Sequence, residues 1–248
     1  MEKLVPNSTT NERQQYAAFG VLSLVVVALT GILTLLQDTI TKPYLGIIPG
    51  NPAGFFQPFI GSVQPLLAIT LVAVVGAASL GLLQSRGWFE IYTMRETLRG
   101  EAVAAAIATV FGMVMIVADL TFSRQPEDIN VPPPWSWLFY PVIAYAVEIL
   151  FHVFPLALLL AVLGPLFKKL NMPGLVWLCI LLVSLLEPLV QTRTLGMSAY
   201  VGLHVFAFTL AQLYVFRRYD FISMYTFRIV YYVCWHIIWG YSRLQGLG

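Results

Sequence analysis

Charge is scarce in this chain. Only 10% of its 248 residues are Asp, Glu, Lys or Arg, and 14 basic against 12 acidic side chains leave a formal charge of +2. A soluble domain carries about 25% charged residues. The shortage excludes a surface facing water on all sides, and the small excess excludes a basic field for nucleic acid. Cysteine is nearly lacking too. Cys179 and Cys234 both fall inside apolar runs, which argues against a disulfide scaffold and against a thiolate metal cluster. Histidine is limited to His152, His204 and His236, with no HExxH pattern and no cysteine pair, so no zinc or other metal site is expected. No internal repeat of about 20 to 50 residues is visible.

What is abundant is hydrophobicity. Hydrophobic residues make up 58% of the chain and the mean hydropathy is +0.79. A helix crossing the hydrocarbon core needs roughly 20 largely apolar residues, because lipid offers no partner to its backbone polar groups. Seven stretches qualify: Ala17 to Leu36, Leu66 to Leu83, Ala102 to Leu120, Leu138 to Leu166, Leu175 to Val190, Tyr200 to Phe216 and Phe221 to Tyr241. The expected fold is all-α, a polytopic bundle of about seven transmembrane helices forming one integral membrane domain over 1–248. The first stretch follows a polar tail and lacks a small-residue cleavage site, so it reads as a span and not as a signal peptide. Pro141, Pro155 and Gly164-Pro165 weaken the helical ladder of the long fourth span, which predicts a kink there. The fifth span is the least regular, with Glu187-Pro188 near its end.

Basic residues collect on the cytoplasmic side of membrane proteins. Placing the amino terminus in the cytoplasm puts Lys3, Arg13, Arg86, Arg95, Arg99, Lys168, Lys169, Arg217 and Arg218 inside and only Lys42, Arg124, Arg193 and Arg243 outside. That orientation places the sequon Asn7-Ser8-Thr9 on the wrong side for glycosylation. Two longer connections then face outward, Gln37 to Ser62 and the proline- and tryptophan-bearing Thr121 to Trp137, and both read mainly as packed loops. Gln84 to Gly100, on the inner side, reads as a short interfacial helix. Small residues in "VVGAASLG" and "GEAVAAAIATVFG" predict close helix approach within the bundle.

A charge near mid-bilayer costs about 2.5 to 3.5 kcal/mol on insertion scales, so each intramembrane ionisable group needs a paired or hydrated setting. The informative residues are Glu148, His152, Glu187, His204, Arg228 and His236. His152 follows Glu148 by four positions and shares its helix face. Such a pair can lock packing, activate a water or take part in cofactor ligation. Arg228, Tyr232 and His236 form a second polar face at the same spacing. Arg228 carries five donors, and its natural partner is Glu148 or Glu187. Gln191, one turn past Glu187, can complete that patch. His152, His204 and His236, on three helices, are candidate ligands for a haem or a chlorophyll-type pigment.

The segment "VEILFHV", with Glu148, Leu150, Phe151 and His152, resembles the EExxxR motif of the CPBP family, the CAAX-prenyl-protease-like and bacteriocin-processing-like intramembrane proteins. The later stretch "AQLYVFRRYDFISMYTFRIVYY" resembles that family's L-Y-x-R-type turn and the helix after it, so the likeness covers residues 136 to 241. In that family, paired glutamates and histidines activate water for peptide-bond hydrolysis within the membrane. Here Val147 stands at the first glutamate, Glu148 at the second and His152 at the arginine. The family's FxxxH motif falls at Glu187 to Gln191 and its HxxxN motif at Arg228 to Tyr232, with the signature residues replaced in both. The resemblance therefore implies a non-catalytic scaffold or accessory subunit of a larger membrane complex, with lipids and integral membrane proteins as partners. One alternative is an intramembrane peptidase with Glu148 as base and His152, Arg228 and His236 as helpers. The other is a haem- or pigment-binding subunit.

Overall fold

The computed structural model describes residues 11–36, 64–94, 96–121, 130–131, 133–166, 172–194 and 198–245. The first outward connection, the sequon and most of the second connection lie outside these residues. Among the described residues all regular structure is helical, and seven helical runs are long and apolar enough to cross a membrane. The protein is thus an all-α membrane helix bundle.

The first three spans are single helices, α1 (Glu12–Leu35), α2 (Pro65–Ser85) and α3 (Thr97–Thr121). Asn11 caps α1, its side chain accepting from the Arg13 amide at 3.0 Å while the Gln14 side chain accepts from the Asn11 amide at 3.1 Å. The fourth span is α4 (Ser136–Val147), a π-helical turn (Glu148–Val153) and α5 (Phe154–Leu166). The fifth is α6 (Met172–Val183) followed by α7 (Leu186–Thr194). The sixth is α8 (Ala199–Arg218), and the seventh is α9 (Phe221–Tyr232), a second π-helical turn (Val233–Trp239) and α10 (Gly240–Leu244).

Proline accounts for two of these interruptions. Pro155 has no N–H for the Phe151 carbonyl and its ring crowds that oxygen, so the turn before it widens and Phe154 bonds back to Ile149. Pro188 likewise offers nothing to the Ser184 carbonyl. The fifth helix stops at Val183 and restarts at Leu186, with Pro188 in the first turn, where its missing donor does no harm.

The small residues of the second and third spans are used inside the bundle, as their sequence predicts. A side chain at Gly76 would meet Ile149 and Phe19, one at Gly112 would meet Cys234 at 2.8 Å, and one at Gly100 would meet Ser223 and Tyr219. Ala104 and Ala108 are fully buried beside them. Gly76 brings α2 close to α1 and the fourth span, while the small residues of α3 let it lie close against the seventh span. Large apolar side chains such as Val21, Leu24, Val74, Val110, Leu158 and Leu203 point outward, as they do where lipid is the solvent.

The segment between α2 and α3 departs from expectation, because it is no interfacial helix. Gly87 takes φ of +66°, which ends the helical path, and Trp88, Phe89 and Ile91 turn inward and are buried. The backbone is held by the rest of the bundle. Gln15 of α1 bonds to the Glu90 side chain and accepts from the Ile91 amide at 2.9 Å, and the Phe221 amide donates to the Glu90 carbonyl at 3.1 Å. Asp220 caps α9 by accepting from the Ser223 amide at 2.8 Å, and its other oxygen accepts from the Thr93 amide and hydroxyl at 3.0 and 2.9 Å, with the Thr97 hydroxyl against the same atom.

Two measurements test this packing. Gly100→Ala forces the Cβ into Tyr219 and Ser223 and should cost about 1 to 3 kcal/mol. Gly20→Ala has open space and should gain a few tenths to about 1 kcal/mol from helix propensity. Equal melting temperatures for the two variants in detergent would contradict this account of the α3–α9 contact. The second concerns pH. Half-burial, aided by the nearby Asp220 and opposed by the Gln15 hydrogen bond, raises the Glu90 pKa above its ordinary 4.5. The folded chain then holds this proton more tightly than the unfolded one, so the stabilisation is present below the ordinary value and lost as pH rises through the raised one. The melting temperature of the native protein should therefore fall relative to Glu90→Gln as pH rises from the ordinary glutamate value through the raised one, and a difference independent of pH would refute it.

Candidate functional site

The ionisable residues singled out from the sequence meet in one place. Glu148 and His152 sit on the π-helical turn of the fourth span, both fully buried. Glu187 comes from the first turn of α7, just past the break that Pro188 imposes. Arg228 comes from α9, and Gln212 reaches in from α8.

Arg228 is the centre. Its Nε donates to Glu148 Oε1. Its Nη1 donates to Glu187 Oε1 at 3.0 Å and to the Tyr232 hydroxyl at 3.3 Å. Its Nη2 donates to Glu187 Oε2 at 2.7 Å and to Gln212 Oε1 at 3.0 Å. A guanidinium has five N–H groups, and all five are committed. The Glu187 contact is bidentate, the geometry in which arginine binds a carboxylate best. The rings of Phe208 and Tyr232 lie 5.1 and 5.8 Å from the guanidinium carbon, adding cation–π contact on its faces.

The carboxylates are comparably engaged. Glu148 Oε1 also accepts from Gln212 Nε2, and Glu148 Oε2 lies 3.1 Å from His152 Nδ1. Glu187 Oε1 accepts from Gln191 Nε2 at 3.0 Å, so Gln191 does complete the patch. His152 Nε2 stands 3.3 Å from Glu187 Oε2, near enough for charge attraction but off the line of a hydrogen bond. An imidazolium at His152 would balance the cluster, two positive groups against two negative ones, in a region where an unbalanced charge is costly.

The other two histidines lie elsewhere. His204 Nε2 is 3.3 Å from the Tyr231 hydroxyl, with the Phe111 ring set edge-on to it. His236, on the second π-helical turn, has Nδ1 3.0 Å from Asn130 Oδ1 and stacks on Tyr140 with ring centres 4.8 Å apart. The Tyr232 ring lies across that of His236 at 5.1 Å. The hydrogen-bond partner of His236 is thus Asn130 and not a member of the Arg228 cluster, and one turn on Trp239 donates to Asp119 at 2.9 Å. Among the described residues no three His, Cys, Asp or Glu side chains are placed to hold a metal ion.

Gln212 is the member that the sequence did not single out. Its place in the apolar run "FAFTLAQLYVF" is itself the signal: an amide inside a span must find hydrogen-bond partners, and Gln212 finds Glu148, Arg228 and the Met224 carbonyl.

No protein-family model matches the chain, and neither a curated protein nor a solved structure matches it.

Removing the central cation should expose the interdependence of the cluster. Arg228→Met leaves two buried carboxylates without their counter-ion and should cost about 3 to 5 kcal/mol. Adding Glu148→Gln and Glu187→Gln to it removes the stranded charges and should recover most of that loss. A triple variant no more stable than Arg228→Met in thermal unfolding would show that charge pairing is not what holds these helices.

Proposed function

We propose that this protein is a non-catalytic, CPBP-like membrane protein that serves as a scaffold or accessory subunit of a larger membrane complex, its charge cluster acting as an internal clamp. The observation that carries this reading is the full commitment of Arg228. A Glu148-dependent hydrolase needs donors aimed at the oxyanion of its tetrahedral intermediate. The strongest donor at hand has all five N–H groups engaged by Glu148, Glu187, Gln212 and Tyr232. Glu148, the one family glutamate retained, faces a cation and an amide on one oxygen and an imidazole on the other. The positions that the resemblance aligns with the family's motifs, Glu148 with His152, Glu187 with Gln191, and Arg228 with Tyr232, are the ones that meet around this point. A framework kept while its signature residues become an ion-pair network fits a role in assembly.

The competing reading is the intramembrane peptidase, and it rests on His152 Nε2, which is buried without an aligned partner. The two separate cleanly. Gentle detergent extraction of the native protein should yield a stoichiometric complex with other membrane proteins, and Glu148→Gln should leave its composition unchanged. A Glu148→Gln chain that assembles normally but abolishes cleavage of a co-expressed membrane substrate would overturn the scaffold reading. Visible absorbance of the purified protein would direct attention to haem or pigment at His152, His204 or His236.

A further inference from the structure

Where α6 and α8 run side by side, their outer faces enclose an open, almost wholly apolar groove of about 680 Å³. Trp177 and Leu181 line it from α6, and Leu203, Ala207, Ala211 and Tyr214 line it from α8. At one end the Trp177 and Tyr214 rings lie nearly parallel, 6.2 Å apart. Each lies near one end of its span, four residues from Pro173 and from Arg218 respectively, where amphipathic rings mark the headgroup level. Ala207 and Ala211 keep the α8 side low over a full turn.

The α8 stripe does not end in apolar residues. Leu203, Ala207, Ala211, Tyr214 and Arg218 follow one another at helical spacing along its outer face, and Arg218 is exposed just beyond the ring pair. Its nearest carboxylate, Glu96, is 3.9 Å away, a loose contact between two partly exposed groups. The neighbouring Arg217 donates to the Trp88 carbonyl at 3.2 Å and covers the Phe89 ring, so it is engaged by the bundle and leaves Arg218 as the cation beside the groove.

We propose that this groove is a binding site for an anionic phospholipid, with one acyl chain between Trp177 and the alanines of α8 and the phosphate at Arg218. The order of chemistry along the stripe, hydrocarbon, then aromatic ring pair, then guanidinium, matches a lipid from chain to headgroup. Neutral phospholipid fits the apolar part and gains less at the end, since a cation near the membrane surface favours an anionic headgroup. This site is independent of the clamp, which lies on the opposite, buried face of α8 at Gln212.

Native mass spectrometry on the intact, delipidated protein, titrated with phosphatidylglycerol or phosphatidylcholine of identical chains, tests the proposal. Phosphatidylglycerol should be retained about fivefold more strongly, the ratio that one surface cation supplies. Arg218→Gln should abolish the preference and Arg218→Lys should keep it. Ala207→Phe, which fills the groove from its lipid-facing side, should reduce retention of both lipids without changing the melting temperature of the lipid-free protein. Equal retention of the two lipids, or a preference that survives Arg218→Gln, would overturn the assignment. So would a photo-crosslinker at Ala207 that captures a polypeptide in the native membrane in place of phospholipid.

Discussion

A permanently charged guanidinium in the middle of a membrane protein dictates what surrounds it. Arg228 cannot discharge by losing its proton, and its five donors have fixed directions, so acceptors must be brought to it. They come from four spans: Glu148 from the fourth, Glu187 from the fifth, Gln212 from the sixth and Tyr232 from its own. Each contact fixes the rotation and the depth of one helix relative to the others. Apolar helix packing in lipid lacks that selectivity, because one hydrocarbon face resembles another. Such a cluster contributes less to net stability than its Coulomb attraction suggests, since its members give up hydration to form it. Its value lies in register, because no partial arrangement satisfies both carboxylates and the cation together.

The irregular backbone is concentrated where these spans meet. The π-helical turn that carries Glu148 and His152 precedes Pro155, and the break before Glu187 is set by Pro188. The third irregularity, Val233–Trp239, has no proline. There the chain passes close to Asn130, so close that a side chain at Gly240 would collide with it, and the widened turn presents His236 to the same asparagine. The helix bearing Arg228 is tied at both ends, by Asp220 to the Thr93 and Thr97 segment and by the Trp239–Asp119 and His236–Asn130 bonds beyond it. With its ends held, the guanidinium is held at one depth, and the other three spans adjust to that depth.

Much of this was legible in the residues themselves. The seven spans follow from hydropathy, because lipid enforces long apolar runs. The candidates Glu148, His152, Glu187 and Arg228 follow from the cost of burying charge. Spacing could place Glu148 beside His152 but could not say which glutamate Arg228 would choose, and it takes both. Two things escaped. Gln212 carries no charge, yet the same rule of satisfied polar groups applies to an amide. His236 shares a face with Arg228 and Tyr232 in an ideal helix, yet on the wide turn its hydrogen bond goes to Asn130. The Gln84 to Gly100 segment differs from its sequence expectation for a related reason. Its mixed aromatic and charged residues look interfacial one helix at a time, and only the contacts with Gln15, Asp220 and Phe221, distant in sequence, reveal that it turns inward.

The distinction between a clamp and a catalyst comes down to unused hydrogen-bonding capacity. A catalytic site keeps donors aimed at a place that fills with charge only in the transition state, so in the resting protein they face water or substrate. At Arg228 the donors face acceptors supplied by the chain, and redirecting any one of them would unpair a buried carboxylate or amide. The cost of that redirection would be added to any reaction barrier. His152 Nε2 is the exception, a buried ring nitrogen near a carboxylate without alignment. Its other ring nitrogen, Nδ1, already faces Glu148 Oε2 at 3.1 Å. On the scaffold reading proposed above, the cluster acts as a lock, since a network with little capacity left over tolerates one arrangement of its helices and few others.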